Sequence, residues 1–253
     1  MDHRYVSNRI YVTPEEQHQV RQFNILLGGA GIGSVIAECA LRFGFERITI
    51  VDGDKVDMTN LNRQNYTQKD AGKYKTEALA ERLLQINPHA MIKYHTCFID
   101  SQNVEQLIAG YQVAINALDY TSDIPFLFDR ICRQENIPVL HPYNLGWAGF
   151  VTVVKPDSQQ LTLISEKAEG FELKMAEYVT QYLRFWHTPQ NWIDELILEY
   201  KNETAEAKSP PQLSVASWIA AGLCTQIMYH LCTGKRVKIF PKFYLASVLN
   251  DIN

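Results

Sequence analysis

The stretch from Ile25 to Asn65 contains most of the residues in this chain whose types and spacing could do chemistry. It includes a glycine-rich turn that runs Gly28, Gly29, Ala30, Gly31, Ile32, Gly33. The motif fits this frame or one that starts a residue later, Gly29-x-Gly31-x-x-Ser34. Both frames predict a tight turn whose backbone N–H groups point at a phosphate on a helix N-terminus. A plain strand-to-helix connection is the alternative, because a glycine motif alone is weakly specific.

Asp52 follows the turn by about 20 residues, where a second apolar strand is predicted to end. An acid at that place typically accepts a hydrogen bond from a ribose hydroxyl. A solvated strand end is the alternative interpretation. The glycine turn upstream favours ribose binding, so the two features together predict a nucleotide.

The loop after this acid, "DGDKVDMTNLNRQ", is unusually rich in polar side chains. It supplies Asp54, Asn60, Arg63 and Gln64, and "DAGKYKTEAL" then adds Lys73 and Lys75 at a helix start. A cation at a helix N-terminus opposes the helix dipole, so an anionic ligand would explain its presence. Arg63 and Lys75 could hold the phosphates of a triphosphate, which a hydride donor does not require. A solvated basic face is the alternative.

Asp119 ends the segment "INALD", which is predicted to be the fourth core strand. A carboxylate at the carboxyl end of a strand lies in the ligand crevice of an open α/β sheet. Beside phosphates, such a carboxylate is predicted to bind Mg²⁺. A helix cap is the alternative, although Ser122 and Asp123 are also available as caps.

These residues need a parallel sheet to bring them together. The alternation of short apolar runs with amphipathic stretches predicts repeated strand-helix-strand units and a doubly wound, Rossmann-like α/β sheet. "WAGFVTVVKP" is predicted to begin an alternating, antiparallel edge. We expect one domain over residues 1–253, with 156–211 as a helical, lid-like insertion. "QLSVASWIAAGLCTQIMYHLCTGK" is predicted to be a buried helix, and "RVKIFPKFYLASVL" to form strand structure around Pro241.

The composition limits the classes of partner. Of the 253 residues, 24 are Lys or Arg and 28 are Asp or Glu, for a net charge of −4. This balance gives no reason to expect a nucleic acid or a membrane as partner. No apolar run is expected to reach membrane-spanning length, and we expect a cytoplasmic protein. The five cysteines are scattered without a CxxC pair, so we expect no zinc site.

The order "GGAGIG…VDGDKVDMTNLNRQN…DAGKYK…LLQINP…NALD" resembles the ThiF/MoeB/HesA family, the ubiquitin-activating-enzyme-like adenylyltransferases. The similarity runs from about Gln17 to Pro156, with a weaker echo at "PPQLSVASWIAAG", and the "DxDxVxxxNLNRQ" loop is its specific part. The resemblance implies binding of ATP and Mg²⁺. It also implies adenylation of the C-terminal carboxylate of a ubiquitin-like or sulfur-carrier protein or peptide, with release of pyrophosphate.

The resemblance also implies roles for individual residues. Asp52 would hold the ribose, Arg63 and Lys75 the phosphates, and Asp119 the Mg²⁺. Asn60 and Gln64 match the polar residues around the triphosphate. The family is further expected to form a homodimer in which an N-terminal arginine completes the partner's site. Arg9 is our choice for that arginine, and Arg4 is the reserve.

The chain departs from the family pattern at three points. In the frame that starts at Gly28, the middle glycine is replaced by Ala30. The paired CxxC motifs of many members are missing, and no cysteine lies in the insertion, where thioester-forming members carry their nucleophile. Adenylation therefore keeps its full residue set, whereas a thioester or persulfide step lacks its usual residue.

Two other functions stay open at this point. An NAD-dependent oxidoreductase would use the glycines and Asp52 but would leave Arg63, Lys75 and Asp119 without roles. The other is a binding subunit that has the fold of the family but no catalytic activity. The presence of all the expected polar site residues argues against it.

Overall fold

The computed structural model describes residues 3–203 and 210–251, and within them the chain forms one seven-stranded sheet flanked by helices. The strands are β1 (Asn24–Gly28), β2 (Arg47–Val51), β3 (Met91–His95), β4 (Val113–Asn116), β5 (Val139–Leu145), β6 (Ala148–Val154) and β7 (Phe243–Ala246). The helices are α1 (Pro14–Gln22), α2 (Ile32–Phe43), α3 (Lys75–Ile86), α4 (Val104–Ile108), α5 (Ile124–Gln134), α6 (Phe171–Phe185), α7 (Asn191–Asn202) and α8 (Ser214–Cys232).

The strand order is β3-β2-β1-β4-β5-β6-β7. The pairs from β3 to β5 are parallel, and β6 and β7 add antiparallel neighbours at one edge. This confirms the predicted doubly wound, mostly parallel sheet with an antiparallel edge. The order reverses between β1 and β4, and ligands of open α/β sheets bind in the crevice at such a switch point.

The first strand-helix-strand unit forms where local sequence signals agree. The apolar strand β1 is buried, and α2 starts directly after the glycine turn. Gly33 lets α2 approach β1 closely, because a Cβ there would lie 2.8 Å from Leu27 Cδ1. Gly44 ends the helix with a left-handed backbone, φ 125°, which glycine adopts readily. This unit places the N-terminus of α2 at the crevice.

The strand boundaries differ from the prediction at two places. β4 ends at Asn116, so Asp119 lies three positions beyond it in a loop and not at the strand end itself. β7 begins at Phe243, after Pro241, and does not extend around that proline. Proline has no N–H to donate to a sheet, which explains why the strand starts beyond it.

The prediction of an alternating pattern in β6 is wrong, because all seven of its residues are buried. Val151 and Val153 belong to the core cluster that includes α8. Phe150 and Val154 belong to a second cluster, which includes α6. Both faces of β6 are therefore covered, which sequence alternation alone could not show.

The two helices predicted within residues 156–211 are present as α6 and α7, whereas residues 204–209 of that segment lie outside the described residues. Phe171, Met175 and Val179 of α6 pack in one cluster with the antiparallel edge of the sheet. The first turn of α6 also meets the loop after β4, because the Phe171 and Tyr120 rings stack with centroids 4.4 Å apart. The insertion thus reaches the edge of the crevice.

Helix α8 packs on α2 and on β6. Among the described residues, α8 is the one helix whose length and apolar composition would allow it to cross a membrane. Half of its apolar stretch is buried inside the protein. The expectation that no apolar run reaches that length is therefore wrong for α8. Its buried residues Ala220, Ala221 and Cys224 lie in the main core, as expected for a core helix.

Candidate active site

The glycine turn lies at the carboxyl end of β1, between β2 and the loop that follows β4. Gly29 has φ 94°, and its N–H donates to Val51 O at 2.9 Å. A Cβ at Gly29 would lie only 2.3 Å from Ala117 O, so the close approach requires glycine. The Ala117 N–H donates to Gly28 O at 2.8 Å. The turn and the loop that carries Asp119 are thus held as one unit.

Asp52 follows β2 and lies directly beside this turn. Its Oδ2 accepts the Ala30 N–H at 2.6 Å, and its Oδ1 accepts the Asp54 N–H at 2.7 Å. Burial raises the pKa of the carboxyl, although the Ala30 bond and the Lys75 charge oppose the shift. Each carboxylate oxygen can accept a second hydrogen bond, so a ribose hydroxyl can still bind there. Through its hydrogen bond from the Ala30 N–H, Asp52 also fixes the glycine turn.

Tyr66, which the sequence did not indicate, and Ser34, the last residue of the second glycine frame, complete the support of the turn. Tyr66 donates from its hydroxyl to Ala30 O at 2.7 Å, and burial raises its pKa well above the usual value. Ser34 donates to Gly31 O at 2.7 Å and accepts the Asn65 N–H at 2.9 Å. The one feature of the sequence that could have indicated Tyr66 is an aromatic residue within the otherwise polar run "RQNYTQ".

Lys75 starts α3 and places its charge in the crevice. Its side chain is only 9% exposed, and Nζ lies 2.9 Å from Asp54 Oδ2. The Lys75 charge lowers the pKa of Asp119, but partial desolvation by the surrounding protein atoms outweighs it, so the pKa of that carboxyl is raised although the residue as a whole is solvent-exposed. By contrast, Lys73 turns outward and pairs with Glu81 at 2.9 Å. Of the two predicted lysines, Lys75 alone faces the site.

Arg63 is fixed at the other side of the crevice. Its Nη1 donates to Thr59 O and to Asn62 Oδ1, both at 2.8 Å. Its Nε donates to Gln212 Oε1 at 2.8 Å, from the segment that precedes α8. No hydrogen bond of Nη2 occurs within the described residues, so this nitrogen keeps two donors for a ligand. Gln212 was not singled out, although it lies in the "PPQLSVASW" echo of the family pattern.

Asn60 and Gln64 differ in how they meet the crevice. Asn60 uses Oδ1 to accept the Asp57 N–H at 3.0 Å, so that oxygen caps its own loop. Gln64 lies against the glycine turn, where a Cβ at Gly31 would be 3.3 Å from its Nε2. Gln64 Oε1 is buried and has no hydrogen-bond partner among the described residues. A buried amide oxygen without a donor is costly, so a ligand donor would satisfy it.

Asp119 is exposed, and its surroundings include a carboxylate from the insertion that sequence reasoning did not identify. The charges of Arg63 and Lys75 lower the pKa of Asp119, whereas Asp54 raises it. Burial and the Asp119 charge raise the pKa of Glu172, against the opposing influence of the Tyr120 backbone. The sequence motifs did not indicate Glu172, because it lies on α6, more than 50 residues after Asp119 and outside every motif.

The donor set suits Mg²⁺. Mg²⁺ is typically held by one or two carboxylates together with the phosphates of its substrate, and Asp119 and Asp54 supply hard oxygen ligands beside two cations. Within residues 3–203 and 210–251, no group of three or more His, Cys, Asp or Glu side chains converges to hold a metal by itself.

Arg9 lies away from the crevice of its own chain. It follows a short 3-10 helix, His3–Asn8, which also contains Arg4. The neighbouring Asn8 donates to Phe43 O at 2.8 Å, at the C-terminal end of α2. The 12 residues of α2 separate that end from the glycine turn, or about 18 Å. Arg9 is exposed, and the structure does not bring it to the other predicted site residues of the same chain.

Curated relatives align with about half of the chain. The tRNA threonylcarbamoyladenosine dehydratase of Escherichia coli (strain K12) is 37% identical over 126 residues, which cover 49% of this chain and 46% of that protein. The SAMP-activating enzyme E1 of Haloferax volcanii is 29% identical over 148 residues, 58% of this chain and 54% of that protein. The chain thus spans about half the length of the curated relatives it matches.

Solved structures and a family model extend this similarity over the whole fold. E. coli MccB with AMPCPP and MccA superposes with a TM-score of 0.71 at 16% identity, covering 97% of this chain and 71% of that one. E. coli TcdA, a tRNA N6-threonylcarbamoyladenosine dehydratase, gives 0.66 at 21% identity, covering 91% and 94%. The model of the ThiF family matches residues 5–251. The chain therefore belongs to the ThiF family.

Proposed function

We propose that this chain is an ATP-dependent adenylyltransferase. It would activate the C-terminal carboxylate of a ubiquitin-like or sulfur-carrier protein or peptide as an acyl-adenylate. The observation that carries the proposal is the convergence of Arg63, Lys75 and Asp119 beside the glycine turn. Relatives named SAMP-activating enzyme E1 and molybdopterin-synthase adenylyltransferase support this class of reaction.

The residues that face the crevice then divide the nucleotide between them. The turn from Gly28 to Gly33 and the N-terminus of α2 would receive a phosphate, and Asp52 would accept a ribose hydroxyl. Arg63 and Lys75 would neutralise the phosphates, with Gln64 available as a further polar contact. Asp119 would bind Mg²⁺, which withdraws charge from the phosphate oxygens when bound.

The reaction needs no nucleophile from the protein. An oxygen of the acceptor carboxylate attacks the α-phosphorus of ATP and forms the new P–O bond. The bond from the α-phosphorus to the bridging oxygen breaks, and pyrophosphate leaves with that electron pair. This chain would contribute position and charge neutralisation, with Arg63 and Lys75 placed near the charge that moves to the leaving group. The insertion contains no cysteine for a later thioester step.

We also propose that the active form is a homodimer, with residues 1–253 acting as one adenylation domain and 156–211 as its lid-like insertion. Arg9 lies at the opposite end of α2 from the turn and is exposed, so it could serve only another chain's site. Ile10 and Tyr11 beside it are 95% and 83% exposed, which gives this end of the molecule an apolar surface. A second chain would cover that surface.

A modified nucleoside of tRNA is the second candidate acceptor. It is favoured by the 37% identity to a relative named for threonylcarbamoyladenosine in tRNA. The net charge of −4 argues against it, because RNA binding draws most of its affinity from basic surfaces.

ATP–pyrophosphate exchange tests the proposal and separates the acceptors. Exchange should depend on Mg²⁺ and on a protein or peptide with a free C-terminal carboxylate, and it should be lost in Asp119→Ala. Exchange that requires tRNA would move the assignment to the second candidate. In parallel calorimetry, tighter binding of NAD than of Mg-ATP would overturn the adenylation proposal.

A further inference from the structure

Three buried polar side chains have no part in the proposed reaction. Asn116 at the end of β4, Asp129 on α5 and His141 on β5 are 4%, 7% and 1% exposed. Burying a carboxylate with an imidazole costs desolvation energy, and well-packed apolar residues often stabilise a core as well or better. Stability alone is therefore a weak explanation for this cluster.

The contacts within the cluster fix the orientation of the Asn116 amide. Asn116 Nδ2 donates to Asp129 Oδ1 at 2.8 Å and to Pro125 O at 2.9 Å. Both donors of the amide are therefore used on the α5 side. Its Oδ1 faces the Leu118 N–H at 3.4 Å, in the loop that leads to Asp119. A flipped amide would place donors against Leu118 N–H and an acceptor against two acceptors.

His141 lies on the other side of the Asp129 carboxylate. His141 Nε2 is 3.2 Å from Asp129 Oδ2. Both ring nitrogens of His141 are buried and have no hydrogen-bond partner among the described residues, so this approach is a close polar contact and not a hydrogen bond. Asp129 Oδ1 is therefore the anchor of the Asn116 amide, and His141 packs against the other carboxylate oxygen.

The loop from Ala117 to Asp119 is also held by the backbone of the glycine turn. Ala117 N–H donates to Gly28 O, and Ala117 O lies against Gly29. Asp119 follows two residues later and is exposed. Its position thus depends on two anchors: the backbone of the turn, and the Asn116 side chain.

We propose that Asn116 is a positioning residue for Asp119, held in one orientation by its hydrogen bonds to buried Asp129 and to the Pro125 carbonyl. Because Asn116 is buried, it would not touch the nucleotide or the metal itself. It sets the backbone from Leu118 to Asp119, so that the Asp119 carboxylate points into the crevice before a ligand arrives. This inference rests on the proposed function, because the role given to Asp119 comes from it.

A double-mutant cycle tests the role of Asn116. The readout is the gain in affinity for a non-hydrolysable ATP analogue when Mg²⁺ is added, measured by calorimetry. Asn116→Ala should reduce this gain by about 10-fold or more, as is usual when a metal ligand loses its support. In an Asp119→Ala background the same change should have no further effect, because the two residues act on one ligand. A full additional loss there would overturn the proposal.

Two matched variants separate positioning from packing. Asp129→Asn keeps an oxygen for the Asn116 amide and should retain most of the Mg²⁺-dependent gain, whereas Asp129→Leu should lose it. Cys132→Ala removes a buried atom from the same helix and should lower the melting temperature without changing the gain. An equal loss in Cys132→Ala would show that the cluster is only structural.

Amide hydrogen exchange gives a second readout that does not depend on the nucleotide. Asn116→Ala should speed exchange at Leu118 relative to wild type, and Cys132→Ala should not. Unchanged protection at Leu118 would overturn the proposal directly. If Asp119→Ala leaves the Mg²⁺-dependent gain intact while Leu118 exchange responds, the metal assignment fails and takes the positioning role with it.

Discussion

At the scale of single residues, the crevice brings two cations and two carboxylates close enough to act on one another electrostatically. Lys75 pairs with Asp54, and both charges act on Asp119. A nearly buried ammonium needs such a partner, because desolvation is otherwise costly. A nucleotide phosphate would offer Lys75 a second anion in the same place.

Lys75→Met is therefore expected to weaken ATP binding by about 10- to 100-fold, the range for losing a charge-assisted hydrogen bond. Calorimetry with ATP measures the change. Lys73→Met is the matched control, because Lys73 pairs with Glu81 on the outer surface of α3 and should leave ATP binding unchanged. Equal losses in both variants would remove Lys75 from the phosphate site.

The raised pKa of Asp119 predicts a change of stability with pH. A raised carboxyl pKa means that the folded state disfavours the ionised form relative to the unfolded chain. This cost is full above the folded pKa and disappears below the ordinary aspartate value. Asp119→Asn should therefore raise the melting temperature at pH 7 only slightly, because solvent screens much of this cost at an exposed carboxyl. The gain should vanish by about pH 3.5, while Mg²⁺-dependent exchange is lost.

Asp57→Asn is the control of opposite sign. Hydrogen bonds from the Thr59 side chain and backbone lower the pKa of Asp57, so its ionised form stabilises the fold. Its replacement should lower the melting temperature at pH 7 and matter less as the pH falls below the ordinary aspartate value. Matching melting curves for the two variants would contradict both assignments.

At the scale of the elements, the glycine turn is a point where backbones almost touch. Gly29→Ala should cost several kcal/mol or prevent folding, since its Cβ would lie 2.3 Å from Ala117 O at a left-handed φ. Gly72 has φ 84° but no atom within 4 Å of an added Cβ. Gly72→Ala should therefore cost only about 1–2 kcal/mol, for backbone strain alone. Chemical denaturation of both variants measures the difference.

The sequence predicted the elements whose signals are local. A capping box of Thr13 and Glu16 starts α1, and Gly44 ends α2; residues of these types favour such positions through purely local interactions. The carboxyl ends of parallel strands share one edge of a sheet, and this geometry explains why Asp52 and Asp119 could be expected near one another. Periodicity and turn chemistry were sufficient for these features.

Contacts between distant segments could not be predicted in the same way. Arg63 meets Gln212 across a separation of 149 residues, and Glu172 reaches the Asp119 loop from the insertion. The complete burial of β6 depends on α6 and α8 together. Such features are set by tertiary packing, which a single sequence does not display as a pattern.

At the scale of the whole molecule, the position of Arg9 predicts that two chains share each active site. Arg9→Ala and Asp119→Ala should each be inactive in ATP–pyrophosphate exchange. Mixed dimers of the two would contain one site with Asp119 that receives Arg9 from the other chain, so part of the activity should return. If subunit exchange is confirmed and no activity returns, Arg9 does not act across an interface. Arg4→Ala in the same pairing tests the reserve candidate.

The hydrogen bonds around the glycine turn have a consequence for how binding is driven. Asp52, Tyr66 and Ser34 hold its backbone from three separate segments. The N–H dipoles are thus oriented before a nucleotide arrives, and little conformational entropy remains to be lost there on binding. If the acceptor is a protein or peptide, as proposed, the cost of ordering a chain on binding would fall mainly on its C-terminal tail, because the nucleotide-binding turn is already held in place.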